Sequence, residues 1–287
     1  MKETGRLIKE CRIRAGYTQV SLAEVLHVTD KAISKWERGI CLPDVTLLPK
    51  LSLLLDVDLD LFISKTIEQD EWVGLIDIQN CDFSQQVYDK PLIYYLLSHY
   101  LLLGLRRIHV LTNERNQEYL SSPIFKLFGL NISYDVPENH RMMILDRPWF
   151  LFGSDLTQQF QGAMVSERST KLIPANQEPV FYFSSNGEYF KDKKRFVKMV
   201  SPRTLGRGMV CLNMGNPDKV LEVASFIKTY QMNTGLLIGS LEEIAWHQKN
   251  ISSEQIAFLS KQVPYGDLLN QVIGKPQVDC TSSAGQL

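Results

Sequence analysis

The stretch that most constrains the fold of this chain runs from Thr18 to Gly39, TQVSLAEVLHVTDKAISKWERG. A polar cap at Thr18 precedes apolar residues at helical spacing, which predicts a short helix with one buried face. His27-Val28 then forms a turn, and a second cap at Thr29 or Asp30 begins another helix. The pattern therefore predicts two short helices joined by a tight turn.

The second of these helices has two chemically different faces. Ile33 and Trp36 recur on one helical face and are expected to point into a core. The opposite face carries side chains that point outward: Lys31, Ser34, Lys35 and Arg38. This outward face is a candidate surface for reading a partner molecule.

The order of these features resembles the lambda-repressor-like (Cro/C1, or Xre) helix-turn-helix family throughout residues 4–63. A plain packed pair of helices is the alternative, but the closing Glu37-Arg38-Gly39 also follows the family. The resemblance implies that these residues contact DNA: Gln19, Thr29, Asp30, Lys31, Ser34, Lys35 and Arg38. His27 stands where the family often has glycine, and histidine tolerates the left-handed conformation better than most residues.

The flanking residues complete a small all-α, five-helix domain over residues 1–65. The first helix is predicted at residues 4–15 and is basic on one side through Arg6, Lys9, Arg12 and Arg14. That side is either simply solvated or contributes some phosphate contacts. Leu42-Pro43-Asp44 is expected to cap a leucine-rich fourth helix, and Leu59–Ile63 forms a last turn. Family members commonly bind two half-sites about 34 Å apart as dimers, so the remaining chain must hold copies together.

Length and composition limit the classes of function. The chain has 287 residues, 44% hydrophobic residues and a net charge of -1, which suits a folded protein of about two domains. A near-neutral chain does not coat nucleic acid nonspecifically, so DNA contact must come from a local basic face. No apolar run approaches the roughly 20 residues that span a bilayer, and we expect a cytoplasmic protein without a membrane partner. The five cysteines are scattered, and we expect neither a metal site nor a cofactor.

After a short linker at residues 66–70, the pattern changes to that of an α/β domain over residues 71–276. A strand at Trp72–Ile78, a helix at Pro91–Leu103 and a strand at Arg107–Thr112 predict a βαβ unit in a mostly parallel sheet covered by helices. Further strands are predicted at Asn131–Val136, Met142–Asp146, Pro179–Phe183 and Gly208–Asn213. Further helices are predicted at Asp155–Glu167, 217–230 and Leu241–Ile273. Residues 277–287 are expected to be a disordered tail.

The α/β region resembles the sugar-1-phosphate nucleotidyltransferases, and most closely the glucose-1-phosphate thymidylyltransferases. The resemblance begins in Val87–Tyr95, VYDKPLIYY, and continues through Gly104–Ile108. Segments of the family's C-terminal half follow in order at Leu205–Gly208, Met214-Gly215, Glu222–Ile227 and Leu241–Trp246. The resemblance covers most of residues 72–272 and implies a Rossmann-like nucleotidyltransferase sheet with helices on both faces.

The elements that this family's chemistry needs are missing. Gln79–Gln86 follows the first strand but has no glycine, arginine or lysine to cradle a triphosphate. Asn213 stands where the family has its second metal-binding aspartate. Asp146 could match the first, but the Arg147-Pro148 that follows it departs from the family's pattern. Too few residues lie between Asp155 and Gly206 for the family's sugar-binding subdomain. The basic segment Lys191–Lys198 is interpreted as a solvated loop. We therefore expect a pseudoenzyme.

A second, regulatory nucleotide site of the thymidylyltransferases is retained. The resemblance implies these ligand-binding residues: Leu102, Gly129, Arg207, Gly239, Ser240, Glu242, Glu243 and Ile244. An arginine can grip a diphosphate with two parallel hydrogen bonds, which would give Arg207 a defined role. The alternative is that these residues only pack a subunit interface.

The sequence thus predicts a transcriptional regulator that binds a double-stranded DNA operator. Its nucleotidyltransferase-like domain is expected to form a homodimer or higher oligomer and to sense a nucleotide or a nucleotide-sugar such as a dTDP-sugar. Two alternatives remain open. One is an active sugar-1-phosphate nucleotidyltransferase with an autoregulatory DNA-binding domain. The other is a purely structural dimerisation module without a ligand.

Overall fold

A computed structural model of the protein describes residues 2–26, 28–41, 43, 47–55, 72–137, 140–153, 156–166, 168–175, 177–185, 187–206 and 208–274. These residues form two compact units, one within residues 2–55 and one within residues 72–274. Predictions for His27, Leu59–Ile63, the linker at 66–70, Arg207 and the tail at 277–287 lie outside the described residues. None of the described helices is long and apolar enough to cross a membrane.

The described part of the first unit is built from helices. They are α1 Lys2–Arg14, α2 Gln19–Leu26, α3 Asp30–Glu37 and α4 Leu48–Leu55. Their apolar faces meet in one core that includes Ile8, Leu22, Ile33, Trp36 and Leu51. A Cβ on Gly5 of α1 would lie 2.4 Å from the carbonyl oxygen of Trp36, so the close approach of α1 to α3 requires glycine. The predicted inward face of α3 is confirmed.

The cap of α3 fixes where the second helix of the motif begins. The backbone N–H of Ala32 donates to the side-chain oxygen of Thr29 at 3.1 Å, so Thr29, rather than Asp30, is the N-cap. In the turn before it, the backbone N–H of Val28 donates to the carbonyl of Ala23 at 3.0 Å. The sequence pattern allowed either Thr29 or Asp30 as the cap, and the backbone geometry decides between them.

The second unit is an α/β structure. Its strands are β1 Trp72–Asp77, β2 Gln86–Val87, β3 Lys90–Pro91, β4 Arg107–Leu111, β5 Asn131–Ser133, β6 Arg141–Leu145, β7 Trp149–Phe152, β8 Thr170–Ile173, β9 Phe181–Ser184, β10 Ser201–Thr204 and β11 Val210–Asn213. Its helices are α5 Leu92–Leu102, α6 Glu114–Leu120, α7 Pro123–Leu127, α8 Leu156–Met164, α9 Glu188–Lys191, α10 Lys193–Met199, α11 Pro217–Thr234, α12 Leu241–His247, α13 Ser253–Ser260 and α14 Gly266–Gly274.

Seven strands form the main sheet, in the order β10-β8-β9-β6-β1-β4-β5. Strand β9 is antiparallel to both of its neighbours, and the other neighbouring strands run parallel. On one face, Tyr189 of α9 and Phe196 of α10 pack on the sheet. On the other, Tyr100 of α5 donates to the carbonyl of Leu75, and Phe160 of α8 contacts Phe181 of β9. The predicted α/β sheet with helices on both faces is confirmed.

The predicted strand at Gly208–Asn213 is confirmed as β11, which pairs antiparallel with β7 in a separate two-stranded sheet. One local prediction was wrong. The segment Lys191–Lys198 is not a solvated loop, because most of it forms α10. There Asp192 caps the helix by accepting from the N–H of Arg195 at 3.0 Å, and Phe196 is buried against the sheet. The capping carboxylate and the buried ring stabilise this helix although the segment is strongly basic.

Candidate nucleic-acid interface and ligand site

Helix α3 presents the predicted DNA-binding residues on one surface of the first unit. Asp30, Lys31, Lys35 and Arg38 are exposed, as is the cap Thr29, whereas Ser34 is half-buried. The side chain of Arg38 folds back and donates from Nε to the carbonyl oxygen of Ser34 at 3.2 Å. The helix thus carries three exposed cations and one exposed carboxylate. That these residues contact DNA stays a prediction.

Gln19, the remaining predicted DNA contact, belongs to a network that joins α1, α2 and α3. Its Nε2 donates to Oε2 of Glu37 at 2.7 Å. Arg12 donates to both carboxylate oxygens of Glu37, at 2.5 and 3.2 Å, and to the carbonyl of Tyr17 at 2.7 Å. An amide nitrogen carries two hydrogens, and this bond to Glu37 uses one of them.

The position of Arg12 corrects the predicted basic face of the first helix. Arg12 is 8% exposed, and it lies one helical turn after the fully buried Ile8. It therefore sits on the face of α1 that contacts α3 and is not part of a solvated surface. A spacing of four residues put Arg12 and Ile8 on one face in the sequence, but the charge of Arg12 disguised its burial.

A cavity of about 460 Å³ in the second unit brings together five of the predicted ligand residues. They are Leu102, Gly239, Ser240, Glu243 and Ile244. Its walls come from the C-terminal half of α5, from β7, from the start of α8, and from α12 with the turn before it. Residues that are more than a hundred positions apart in the chain therefore line a single cavity. Ligand binding there stays a prediction.

The turn before α12 shapes this cavity. Gly239 has a φ of 66°, and a Cβ there would lie 2.6 Å from the ring of Tyr95, so the turn requires glycine. Ser240 follows as the N-cap of α12, accepting from the N–H of Glu243 at 3.2 Å. The local sequence thus places both residues in the wall of the cavity and points Glu243 towards the same space.

Glu242 does not line the cavity, contrary to the prediction. It is 1% exposed and accepts from the hydroxyls of Tyr265 at 3.0 Å and Ser240 at 3.1 Å. The fully buried Lys90 lies 3.9 Å from the centre of the Tyr265 ring and donates to Asp89 at 2.8 Å. Burial raises the pKa of Glu242 and lowers that of Lys90. Successive residues of a helix point about 100° apart, so Glu242 faces the interior when Glu243 faces the cavity.

Two further predicted ligand residues are not among the described residues of the cavity wall. Gly129 lies in the turn between α7 and β5, where it packs against Arg106 and Asn250. Arg207 is outside the described residues. Its neighbour Gly208 lies beside the cavity, since its carbonyl oxygen is 3.3 Å from the Cβ position of Gly153, which lines the cavity.

His99 lines the cavity and was missed by the sequence analysis. It is 5% exposed, and its Nε2 atom has no hydrogen-bond partner among the described residues. Its ring meets the rings of Phe160 and Phe181 edge-on, with centroids 6.0 and 5.7 Å away. Burial lowers the pKa of His99 from 6.5 to about 4, so the imidazole is neutral near pH 7. A histidine within the apolar run LIYYLLSHYLL was the signal that could have identified it.

At the carboxyl end of β1, Asp77 is tied to side chains of α9 and α10. Asp77 accepts from the hydroxyl of Tyr189 and from Nζ of Lys193, both at 2.7 Å. Burial acts to raise the pKa of Asp77, but these hydrogen bonds outweigh it, and the pKa lies below its usual value. Burial raises the pKa of the neighbouring Asp146, whose Oδ1 has no partner within the described part of the chain.

The loop after β1 is held against α6 by Asn116. The N–H of Phe83 donates to Oδ1 of Asn116 at 3.0 Å, and Nδ2 of Asn116 donates to the carbonyl of Cys81 at 2.7 Å. The ring of Phe83 is fully buried. A cavity of about 250 Å³ lies beside Gln79–Asp82. At the other family position, Oδ1 of Asn213 accepts from the N–H of Gly215 at 2.8 Å and closes a turn.

The first part of the chain is similar to bacterial helix-turn-helix proteins. The helix-turn-helix family model HTH_3 matches residues 8–62. The SPbeta prophage-derived uncharacterized HTH-type transcriptional regulator YonR of Bacillus subtilis is 32% identical over 99 residues, which cover 32% of this chain and 92% of YonR.

The C-terminal region is similar to glucose-1-phosphate thymidylyltransferases. The enzyme of that description from Neisseria meningitidis is 26% identical over 261 residues, covering 66% of this chain and 91% of the relative. Because 66% of a 287-residue chain is fewer than 261 residues, the alignment leaves gaps in this chain. A solved structure from Bacillus anthracis, described as a glucose-1-phosphate thymidylyltransferase in complex with sucrose, has 11% identity and a TM-score of 0.41 and covers 54% of this chain and 94% of that chain.

Proposed function

The chain belongs to the helix-turn-helix transcriptional regulators, and we propose that it regulates transcription from a DNA operator in response to a ligand in its thymidylyltransferase-like unit. The observation that carries the sensing part is the gathering of five predicted ligand residues around one cavity. The ligand is a nucleotide or a nucleotide-sugar. The unit that holds it has no nucleotidyltransferase activity and dimerises the regulator.

Operator binding uses the outward face of α3. Lys31 and Lys35 are exposed one turn apart, which suits contacts to phosphates and base edges in the major groove. Changing both to Ala should abolish a footprint on the operator without lowering the melting temperature. The matched control is the double change of the exposed Lys194 and Lys198 to Ala, which removes the same charge from the second unit. Specific binding that survives the first pair would show that another surface reads DNA.

Ligand sensing requires that the ligand has different affinities for different arrangements of the dimer. A ligand alters operator binding only if it prefers one arrangement of the dimer over another, and operator DNA must then alter ligand affinity by the same factor. Isothermal titration of the full chain with dTDP, dTTP and dTDP-rhamnose, with and without operator, tests both statements. A matched pair of variants locates the site, because Ile244→Trp fills the cavity and Leu236→Trp lies on an exposed surface. Absence of heat and of a thermal shift with all ligands would refute sensing.

Loss of catalysis is supported by three features of the former catalytic edge. In the loop after β1, the backbone N–H of Phe83 donates to Asn116 and is not free to bind a phosphate. Asp77 adds a carboxylate at the start of that loop and is paired with Lys193. Asn213 is a neutral amide and caps a turn. Together these features oppose the binding of a triphosphate and its magnesium ions.

Release of pyrophosphate from a nucleoside triphosphate and a sugar-1-phosphate, with magnesium, tests this loss directly. We expect none. Turnover by the wild-type chain that disappears in Asp146→Asn would refute the pseudoenzyme and support an active enzyme with an autoregulatory DNA-binding domain.

Dimerisation is supported by the two half-sites that such regulators commonly bind, about 34 Å apart. Sedimentation velocity over a range of concentrations measures it. A species that stays monomeric at the concentrations where it binds its operator would refute this part of the proposal and leave the DNA-binding part intact.

A further inference from the structure

We propose that the second unit contains a further binding site, which takes a phosphate monoester of a small polyhydroxylated molecule. The site is a cavity of about 670 Å³ lined by the α9–α10 segment and by residues at the ends of β8, β9 and β10. Its volume lies in the range of small-molecule sites. Among the described residues it shares no lining residue with the cavity beside α12, so this inference does not depend on the proposed ligand sensing.

The cavity lies at the edge of the main sheet where β8 and β10 begin and β9 ends. Ser169 precedes β8, Ser201 begins β10, and Ser185 follows β9. Strand β9 is antiparallel to β6, and β6 is parallel to β1, so the carboxyl end of β1 with Asp77 lies at the opposite edge. The cavity is therefore at the other edge of the sheet from Gln79–Gln86, the loop that follows β1.

Three cations line this cavity, and none of them forms an ion pair among the described residues. They are Arg168, Lys191 and Arg195, and all three are exposed. Arg195 donates from Nε to the sulfur of Met199 at 3.3 Å, a weak acceptor, and this bond uses one of its five N–H groups. Like charges around one cavity repel, and a bound anion relieves the repulsion. The planar fork of an arginine matches the oxygens of a phosphate, which favours phosphate as the anion.

The other polar groups of the wall suit hydroxyl groups better than further phosphates. They are the carboxylates of Glu188 and Asp192 and the hydroxyls of Ser169, Ser185 and Ser201. Carboxylate oxygens accept from ligand hydroxyls, and serine hydroxyls both donate and accept. Three positive and two negative side chains leave the described wall with a net charge of +1. A monoester with a charge of about -2 nearly balances this wall, whereas a polyphosphate would exceed it.

The segment that carries two of the cations is anchored to the sheet. Tyr189 and Lys193 both donate to Asp77 at 2.7 Å, and they lie on either side of Lys191 in the chain. Arg195 follows in the same short helix as Lys193. The backbone beneath Lys191 and Arg195 is therefore already ordered, which lowers the entropy cost of binding an anion between them.

The test is titration of the full chain with ribose 5-phosphate, glycerol 3-phosphate, ribose and inorganic phosphate. The protein carries ¹³C in its methionine methyl groups, because Met199 lines the cavity and is 70% exposed. Its methyl signal is identified by its absence from Met199→Leu. We expect both monoesters to shift this signal and ribose to leave it unchanged. Inorganic phosphate should bind about tenfold or more weakly than ribose 5-phosphate, because it lacks the hydroxyl contacts.

A matched pair of double variants tests the cations. Lys191→Gln with Arg195→Gln should weaken ribose 5-phosphate binding about tenfold or more, because hydrogen bonds from charged donors are lost. Lys194→Gln with Lys198→Gln removes the same charge from exposed positions of α10 outside the described wall. This control should leave the affinity within about threefold.

Several outcomes would overturn the inference. If neither monoester shifts the Met199 signal, the site does not exist, and equal affinity for inorganic phosphate would mean a simple anion site. Unchanged monoester binding by Lys191→Gln with Arg195→Gln would refute the role of these cations. Loss of operator binding by that variant, without monoester binding by the wild type, would assign the surface to DNA. Titration with dTDP and Ile244→Trp reports separately on the cavity beside α12, so either proposal can fail alone. The Met199 signal of the wild type decides the matter even if the double variant does not fold.

Discussion

Acidification should destabilise the second unit through His99. Its pKa is lowered from 6.5 to about 4 by burial, so between these values the unfolded chain binds a proton that the folded chain does not. The stability that this histidine contributes is therefore complete above pH 6.5 and falls as the pH falls towards 4. At about 1.4 kcal/mol per pKa unit, the loss amounts to about 3 kcal/mol, since a fully buried group is not screened by solvent.

The measurement is the free energy of unfolding in urea as a function of pH, for the wild type and for His99→Phe. Tryptophan fluorescence reports on the second unit through Trp72, Trp149 and Trp246. Both proteins compared, with His99 and with Phe at that position, carry Trp36→Phe so that the first unit contributes no tryptophan signal. Other groups contribute to the pH dependence, including Asp77, whose lowered pKa also costs stability as the pH falls.

These other groups are present in both chains, so their contributions cancel in the difference between the two curves. We expect the difference in unfolding free energy to change by about 3 kcal/mol between pH 7 and pH 4, in favour of the variant at low pH. Curves that stay parallel over this range would refute the reasoning, because they would mean that His99 is protonated as readily in the folded chain as in the unfolded one.

Three further predictions concern the elements that hold each unit together. Lys90→Met should destabilise the second unit by about 3 kcal/mol because Asp89 loses its buried partner, whereas the exposed Lys228→Met should change urea unfolding by less than about 0.5 kcal/mol; equal effects would contradict this. Thr29→Ala should cost the first unit about 1 kcal/mol by removing the cap of α3, and Thr29→Ser, which keeps the hydroxyl, should cost less in the same thermal unfolding assay. Asn116→Leu should destabilise the second unit by about 2 kcal/mol and speed amide hydrogen exchange at Phe83; unchanged exchange there would show that the loop does not depend on this clamp.

Much of the local structure could be predicted because its causes are local. Helical spacing and a polar cap suffice to specify α2 and α3, and the order of apolar runs predicted β1, α5 and β4 with small errors at their ends. The short strand β7 was missed, because a strand of four residues has too little periodicity to be recognised. The pairing of β11 with β7 was missed for a related reason. Which strands pair depends on contacts between segments that are far apart in the chain.

The candidate sites show the same division. The residues of the α3 surface lie on one helix, so a period of 3.6 residues was enough to collect them. The cavity residues come from α5, β7, α8 and α12, and five residues implied by the family resemblance lie among them. The resemblance did not show that Glu242 faces the interior, because nothing local says which of two adjacent glutamates meets a buried lysine.

By itself, the sequence determined the two helices of the DNA-binding motif, the α/β character of the larger unit, and the lack of glycine in Gln79–Gln86. Those properties follow from residue types and spacing within short segments. Only the tertiary structure decided that Arg12 is buried against Glu37, that Lys193 pairs with Asp77, and that the buried Nε2 atom of His99 has no hydrogen-bond partner among the described residues. The physical reason is that the environment of a charged or polar side chain is set by the segments packed against it, and the sequence pattern of its own segment does not contain them.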